Sequence, residues 1–482
     1  MKTESRWSCC RALTLALGAA SLAFSLIGCA QPRKPNVIVF VVDMLRPDHL
    51  GIYGYPKNTS PNLDRVARKG VIFDHAFSAA PWTLPSTVSL LTGLLPSEHG
   101  ATRKIIDQKT QVITFPSDPD IWLPRIFKEN GYATVGFHTH QYLRRDVSNI
   151  FKAFDEYYYP PAEHVKLQQY TQGSAPWTQY MYLDTLYPAC EKWLEKNSKK
   201  AFFMYIHVID VHGPYSEIRL LDQDEAFVRR GLADGSIEFQ KMPQVDMYSP
   251  TDTKDPYKSY LYDGQIHYMD AYLGSLMSKL EELGISRDTY VVFAADHGEE
   301  FGEHHDYWGH GKYLYNTQIS VPLVLLSHAN LKDMPRRITN HVNTVGLLPT
   351  MAEIVGIKVG QPYSGRSFSS LLVERNEPRD WRYLSVNETA RAHGLDAITI
   401  DGRFKLITDL STEQYELFDL QDDPREIHPV DLQGLQGEQA GRFRELLALR
   451  RALEERHGAK ELGNFEMDPA TLDALKTLGY TE

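Results

Sequence analysis

The sequence predicts an α/β protein built on a mostly parallel sheet. Three apolar runs are rich in β-branched and aromatic residues and have the length of strands buried on both faces. These runs are 37–42, 201–206 and 290–295. An ionisable residue follows each run directly: Asp43, His207 and Asp296. Because open α/β sheets bind ligands at the carboxyl ends of their strands, we expect these residues to line a site.

Helical periodicity lies between the predicted strands. Apolar residues recur at helical spacing from Ile266 to Leu283, and Gly284 follows as a stop signal. A shorter pattern covers 63–67 and is closed by Gly70. This alternation of strand and helix patterns supports a sheet with helical crossovers.

Other segments are predicted to depart from this alternation. Residues 157–200 and 214–258 are rich in Tyr, Pro and acidic residues, and we expect irregular excursions that shape the substrate entrance. A second region is predicted from 379 to 482. Within it, residues 397–407 indicate a β-hairpin, because Asp401 and Gly402 form a favoured two-residue turn between apolar runs.

Composition excludes some classes of function. The chain is 42% hydrophobic and 23% charged, which is typical of globular proteins. Its formal net charge is -11, and it has no long basic run. An acidic chain of this kind is not expected to bind nucleic acid as its main partner.

The first residues resemble a bacterial export signal. A basic start and a short apolar segment end in Leu-Ile-Gly before Cys29, which is similar to a lipoprotein box. We expect residues 1–28 to be the signal peptide, 29–35 a tether, and Cys29 to carry the lipid that attaches the protein to the membrane. The expected location is the periplasmic face of the outer membrane; simple cleavage after Ala30 is the alternative. Only Cys190 then remains, so no intramolecular disulfide is expected.

The stretch from Pro81 to Gly93 resembles the nucleophile segment of the sulfatase family, which belongs to the alkaline phosphatase superfamily. In that family Cys (or Ser)-x-Pro-x-Arg precedes a helix that ends in Leu-Thr-Gly. Thr83 holds the nucleophile position and Thr87 the arginine position. A secondary alcohol cannot become the formylglycine aldehyde, so no formylglycine is expected. We predict that Thr83 is the nucleophile and lies just before a helix that starts at Pro85, where backbone N–H groups favour anions; helix capping is the alternative role.

Two further segments resemble the family's metal motifs. One begins at Asp43, and the other is Asp296-His297-Gly-Glu. The resemblance implies one divalent ion held by Asp43, Thr83, Asp296 and His297. Met44 stands where many sulfatases have a second Asp, so the ligand set contains one carboxylate fewer. This mixed oxygen and nitrogen set suits Mn²⁺ or Zn²⁺ at least as well as Ca²⁺ or Mg²⁺.

Histidines complete the predicted site. The segment that ends in His212-Gly-Pro resembles the family segment whose His contacts the transferred group. His310 aligns with a Lys that binds the anion in many sulfatases, so we predict His310 as general acid with Lys312 in reserve. A second metal ion on Asp210, His212 and His310 is the alternative use of these residues. His207 is assigned either an orienting or a structural role.

One family segment departs from its pattern. Gly-Lys-Trp-His in sulfatases corresponds here to the stretch that contains His138 and His140, either of which could substitute. Near the C-terminus, residues 416–420 and 423–426 resemble the family's C-terminal signature.

The resemblance implies an alkaline-phosphatase-like α/β/α sandwich at 36–378 and a small C-terminal α+β subdomain at 379–482. It also implies metal-dependent hydrolysis of a sulfuric or phosphoric ester on a small molecule or glycan. Three alternatives stay open: a phosphodiesterase, a transferase of phospho-head-groups at the membrane, and a non-catalytic binding protein.

Overall fold

The structure is a computed structural model of the chain of 482 residues. Twelve segments of it are described below. They are 34–105, 111–116, 121–145, 147–159, 168–170, 177–179, 183–213, 256–360, 363–373, 384–389, 394–456 and 462–466. The predicted signal peptide and Cys29 lie outside these residues, as does most of the predicted excursion 214–258.

Strands occur along the whole described chain. They are β1 (Asn36–Val42), β2 (Val71–Phe77), β3 (Thr102–Ile105), β4 (Gln111–Pro116), β5 (Ala133–His138), β6 (Glu156–Tyr158), β7 (Gln168–Tyr170), β8 (Trp177–Gln179), β9 (Phe202–Val208), β10 (Thr289–Ala295), β11 (Glu300–Phe301), β12 (Trp308–Gly309), β13 (Ser320–Ser327), β14 (Arg337–Asn343), β15 (Leu384–Glu388), β16 (Leu395–Ile400), β17 (Phe404–Asp409), β18 (Tyr415–Asp419) and β19 (Leu462–Glu466).

Helices alternate with the strands. They are α1 (Pro61–Ala67), α2 (Thr83–Thr92), α3 (Pro96–His99), α4 (Leu123–Glu129), α5 (Leu183–Asn197), α6 (Pro256–Glu282), α7 (Asn316–Ile319), α8 (Leu347–Ile354), α9 (Ser370–Val373) and α10 (Gly437–Arg456). Single 3₁₀ turns occur at Pro47–His49, Gly51–Tyr53, Gln141–Leu143, Ile150–Ala153, Ser286–Asp288, Ala329–Asp333 and Thr344–Gly346.

The central sheet has eight strands in the order β14-β2-β13-β10-β1-β9-β5-β6. All neighbouring pairs are parallel except the two that involve β13. The three predicted strands are therefore β1, β9 and β10, side by side at the centre. Their residues are buried along their whole length, as the continuous apolar runs predicted.

The sheet register brings the site residues to one edge. Val42 pairs with Ala295, so the residues that follow leave β1 and β10 at the same level. His207 pairs with Val41 on one side and with His138 on the other. His207 lies inside β9 rather than after it, because the strand continues to Val208.

Two local predictions were wrong in detail. The excursion 157–200 contains the regular helix α5, in which Leu186, Trp193 and Leu194 are buried, although Pro188 lies inside it. The nucleophile helix begins at Thr83 rather than at Pro85. It ends as predicted, because Gly93 caps it in the left-handed conformation with φ of 69°.

The predicted C-terminal region contains a four-stranded antiparallel sheet, β15-β16-β17-β18. The predicted hairpin is β16 and β17, and Asp401 and Gly402 at its turn have φ of 50° and 67°. Leu446 of α10 packs against Ile398 and other apolar residues of the sheet. Within the described segments, no helix is long and apolar enough to span a lipid bilayer.

Candidate active site

Asp43 and Asp296 lie side by side at the carboxyl edge of the central sheet. Both are buried, and the backbone N–H of Asp43 donates to the carbonyl of Val208 at 2.9 Å. The Oδ2 atoms of both aspartates make no hydrogen bond with the residues that the structure describes. The nearest imidazole nitrogens lie 3.5 Å from these oxygens, and a buried carboxylate oxygen that accepts no hydrogen bond is unfavourable unless a cation neutralises it. This pair therefore fits a metal ion.

The Nε2 atom of His297 faces the carboxylates of Asp43 and Asp296. Its Nδ1 lies 2.8 Å from the carbonyl of Gly298, which can only accept, so Nδ1 carries a proton. Its Nε2 lies 3.1 Å from Asp43 Oδ1 and 3.7 Å from Asp296 Oδ2. Burial lowers the pKa of His297, but the two carboxylates outweigh burial and raise it to about 9. The centre attracts positive charge, and ligand atoms of the three residues lie within 4.8 Å of one another.

Thr83 joins this group from above the sheet. It is the first residue of α2 and is fully buried. Its Oγ1 lies 3.2 Å from His297 Nε2 and 3.5 Å from Asp43 Oδ1. The structure thus brings together all four residues of the predicted metal site, with an alcohol oxygen at a helix N-terminus beside the acids.

Met44 shows how the missing second aspartate is accommodated. Its φ is 58°, a left-handed conformation that non-glycine residues adopt rarely. In this conformation its backbone N–H donates to Asp296 Oδ1 at 3.3 Å, and its carbonyl accepts from Tyr262 at 2.7 Å. The backbone of Met44 therefore orients a carboxylate, while its buried side chain adds no ligand.

Two histidines face the outer oxygens of the aspartates. His140 Nε2 lies 3.5 Å from Asp43 Oδ2, and His207 Nε2 lies 3.5 Å from Asp296 Oδ2. His207 Nδ1 contacts the hydroxyl of Tyr205 at 2.8 Å. The sequence indicated both histidines but not the aspartates that they contact. These contacts join residues far apart in the chain, and they can be predicted only when the strand order is known.

His310 is held by a residue that sequence reasoning missed. Its Nδ1 lies 2.6 Å from Glu299 Oε2, and both side chains are largely buried. Its ring is 4.6 Å from the ring of His297 and 5.1 Å from that of His212. Burial raises the pKa of Glu299 well above its usual range. The available signal for Glu299 was its place in Asp-His-Gly-Glu.

The remaining predicted residues lie further from the centre. Lys312 is exposed, and its ammonium lies 5.3 Å from the ring of Tyr307 and 5.0 Å from that of Tyr313. Asp210 Oδ1 accepts from the backbone N–H of Leu183 at 3.1 Å. In the described part of the chain, Asp43, Asp296 and His297 form the one cluster of three metal-ligating residues. A second ion therefore stays a prediction.

Comparison with known families identifies this arrangement. The sulfatase family model matches residues 35–357, more than half of the chain. The chain belongs to the sulfatase family. A second model, N-sulphoglucosamine sulphohydrolase, C-terminal, matches residues 302–448. The protein is accordingly a hydrolase, and the sequence resemblance is confirmed.

Individual relatives are distant. An arylsulfatase from Clostridium perfringens is 24% identical over 455 residues, which cover 82% of this chain and 89% of the relative. An N-acetylglucosamine-6-O-sulfatase from Bacteroides thetaiotaomicron is 24% identical over 491 residues, which cover 85% of both chains. The family match and the sulfatases among the relatives support hydrolysis of sulfuric esters.

Solved structures confirm the alkaline-phosphatase-like fold. The phosphonate monoester hydrolase of Agrobacterium radiobacter has a TM-score of 0.65 at 20% identity, over 88% of this chain and 96% of that one. An enzyme bound to its substrate D-glucosamine-2-N,6-O-disulfate has a TM-score of 0.63 at 20% identity, over 88% of this chain and 98% of that one.

Proposed function

We propose that this protein hydrolyses a sulfuric or phosphoric ester with Thr83 as the nucleophile. One observation carries the proposal. The Thr83 hydroxyl lies 3.5 Å from Asp43 Oδ1 and 3.2 Å from His297 Nε2, at the first residue of a helix, in the segment that resembles the family's nucleophile segment. The N-cap of this helix is Trp82, so Thr83 does not occupy the position whose side chain usually caps a helix.

Sulfatases generally bind a divalent metal, and the residues of this site fit one. Asp43, Asp296 and His297 would hold it together with Thr83. Support comes from the two aspartate oxygens that make no hydrogen bond in the described segments, and from His297, whose Nδ1 proton leaves Nε2 as the ligand atom. A divalent cation bound there supplies positive charge that lowers the pKa of the Thr83 hydroxyl.

The side chains divide the reaction between them. Thr83 Oγ1 attacks sulfur or phosphorus, and a covalent ester with the enzyme forms as the alcohol departs. Asp43 Oδ1 is placed to receive the proton of Thr83. His310, fixed by Glu299, protonates the departing oxygen, and the neighbouring His212 binds the transferred group. Water then gives a proton back to His310 as it attacks the same sulfur or phosphorus, and Thr83 leaves with the proton held by Asp43.

Hydrolysis of the covalent ester on Thr83 favours a phosphoric ester over a sulfuric ester as the substrate. Formylglycine releases its sulfate by elimination, a route that the secondary alcohol of Thr83 lacks. A threonine ester must instead be cleared by attack of water at the central atom. We propose a small-molecule or glycan ester as substrate, because sulfated sugars are named for two similar proteins. The proposed lipid on Cys29 would hold the site at the outer membrane.

Activity measurements on the full chain test the proposal. The protein is stripped with a chelator, reloaded with Mn²⁺, Zn²⁺, Ca²⁺ or Mg²⁺, and assayed on nitrophenyl sulfate, phosphate, phosphodiester and phosphonate ester. Thr83→Ala is compared with Thr92→Ala, which removes a buried hydroxyl at the other end of the same helix. We expect cation-dependent turnover that falls at least about a thousandfold only in Thr83→Ala. Turnover that survives Thr83→Ala refutes the nucleophile.

A further inference from the structure

We infer that Tyr262 is a positioning residue for the metal centre and that it acts through the backbone of Met44. The inference rests on the proposed function, because it takes Asp43, Asp296 and His297 as ligands of a divalent ion. It adds a hydroxyl from α6, which contacts a residue 218 positions earlier in the chain. The argument runs from the aspartate outward to this hydroxyl.

Two backbone N–H groups determine which oxygen of Asp296 is left for an ion. Asp296 Oδ1 accepts from His297 at 2.8 Å and from Met44 at 3.3 Å. Oδ2 is buried and accepts no hydrogen bond from the residues that the structure describes. Hydrogen bonds to one oxygen of a carboxylate orient the other toward a cation, and contacts of this kind tune metal affinity. The backbone of Met44 is therefore part of the metal site, although its side chain is not.

Met44 offers this N–H only from a disfavoured conformation. Its φ of 58° is left-handed, and the Cβ of a non-glycine residue makes this region unfavourable. Relaxation to a negative φ would rotate the peptide group that joins Asp43 to Met44, and its N–H would turn away from Asp296. The orientation of the ligand thus depends on whatever keeps Met44 in the left-handed region.

The Tyr262 hydroxyl restrains Met44 through its carbonyl. It donates to the Met44 carbonyl at 2.7 Å and accepts from the backbone N–H of Arg46 at 2.8 Å. Tyr262 is fully buried, and its ring makes edge contacts with those of His49 at 4.9 Å and Phe301 at 5.0 Å. The packed ring leaves the hydroxyl little freedom, so the Met44 carbonyl is held in one place.

Arg46 anchors the other end of this contact. Its guanidinium donates to both oxygens of Asp48, at 3.0 and 2.7 Å, and to Glu303 at 2.6 Å. It also donates to the carbonyl of Glu299 at 2.9 Å. Hydrogen bonds between charged groups are among the strongest in proteins, so the backbone of Arg46 is firmly placed. The Tyr262 hydroxyl therefore joins a fixed segment to the strained residue.

Tyr262→Phe removes the hydroxyl and keeps the ring. We expect it to weaken Mn²⁺ binding at least about tenfold in calorimetry on the full chain. Tyr53→Phe is the matched control, because the Tyr53 hydroxyl also donates to a carbonyl, that of Phe73 at 3.1 Å, and accepts from an N–H, that of Leu323 at 3.0 Å. It should leave Mn²⁺ affinity unchanged. Circular dichroism of the metal-free variants verifies that both are folded. Unchanged affinity in Tyr262→Phe, or equal losses in the two variants, overturns the inference.

Second substitutions at Met44 test the route through the backbone. Met44→Gly and Met44→Ala both remove the buried side chain, but only glycine adopts a positive φ without strain. In the Tyr262→Phe background, Met44→Gly should therefore bind Mn²⁺ at least about threefold more tightly than Met44→Ala. A general loss of packing does not depend on φ at this position. Equal affinities of the two double variants would overturn the inference.

Asp296→Asn separates these results from those for the proposed function. If it weakens Mn²⁺ binding while Tyr262→Phe does not, the metal site stands and the inference fails. If it binds Mn²⁺ as tightly as the unaltered protein, or if the unaltered protein binds none, the proposed metal site and the inference both fail. If Tyr262→Phe and its rescue behave as expected but turnover survives Thr83→Ala, the inference stands and the nucleophile is refuted.

Discussion

The buried ion pair between Lys405 and Glu426 gives the sharpest prediction for stability. Lys405 lies on β17 and Glu426 in the loop after β18, and their side chains are 0% and 1% exposed. Lys405 Nζ is 2.6 Å from Glu426 Oε1 and 3.0 Å from Asn316 Oδ1. The backbone N–H of Asn316 donates to Glu426 Oε2 at 2.6 Å. This network joins the C-terminal sheet to α7, which follows the loop that bears His310.

Lys405→Met should destabilise the protein by about 3 kcal/mol. At 2.6 Å and an effective dielectric constant of about 20, the attraction that is lost is about 6 kcal/mol. Burial lowers the pKa of Lys405, because the charged ammonium is costly to bury. Removal of the ammonium therefore recovers its desolvation free energy, which offsets part of the lost attraction. Glu426 keeps the Asn316 N–H, so we expect the lower end of the 3–5 kcal/mol typical of broken buried pairs.

Urea unfolding measures this loss, provided that fluorescence and circular dichroism give coincident transitions. Lys128→Met is the matched control, because Lys128 pairs with Asp155 at 2.7 Å but both side chains are more than 40% exposed. It should cost less than about 1 kcal/mol. In a cycle with Glu426→Gln, the coupling energy should exceed about 1 kcal/mol. Equal costs for the two lysines, or additive effects in the cycle, would refute the reasoning.

Three other perturbations have defined outcomes. Burial raises the pKa of Asp270 to about 6. Above about pH 4 the folded state therefore binds more protons than the unfolded state. The free energy of unfolding falls as pH rises toward 6, by on the order of 1–3 kcal/mol. Asp270→Asn should flatten this slope in a pH series of urea midpoints. Gly298→Ala places a Cβ 2.1 Å from the carbonyl oxygen of Thr317, so its melting temperature should fall by several degrees, while Gly360→Ala, with nothing within 4 Å, should not change it. Asp43→Asn should weaken binding of Mn²⁺ at least about tenfold in calorimetry, and unchanged affinity would exclude Asp43 as a ligand.

The central strands and the metal cluster were predictable because their signals are local. Continuous apolar runs specify buried parallel strands, and an ionisable residue after such a run lies at the ligand-binding edge. The contact between His140 and Asp43 was not predictable, because it depends on β9 lying between β1 and β5. Strand order is a property of the whole sheet, and residue spacing does not encode it.

Two other differences have physical causes of their own. The helix α5 contains Pro188, a residue that usually ends a helix, and its polar stretch obscured the buried positions Trp193 and Leu194. Glu299 is the last residue of a recognised motif, yet its role depends on a contact with His310, which lies in a loop eleven residues later. Tertiary packing decides both cases, and local preference does not reveal it.

The register of the two central strands constrains how this site can change. Asp43 and Asp296 extend from paired positions on β1 and β10, so the gap between their backbones is set by the spacing of sheet strands, about 4.8 Å. No substitution can widen that gap without breaking the ladder. Thr83, in contrast, belongs to α2, and the position of this buried helix depends on side-chain packing. Single substitutions can change that packing. Adaptation to ions of different radius would therefore proceed through substitutions in the packing beneath α2, which shift Thr83. The distance between the backbones of the two aspartates would stay constant.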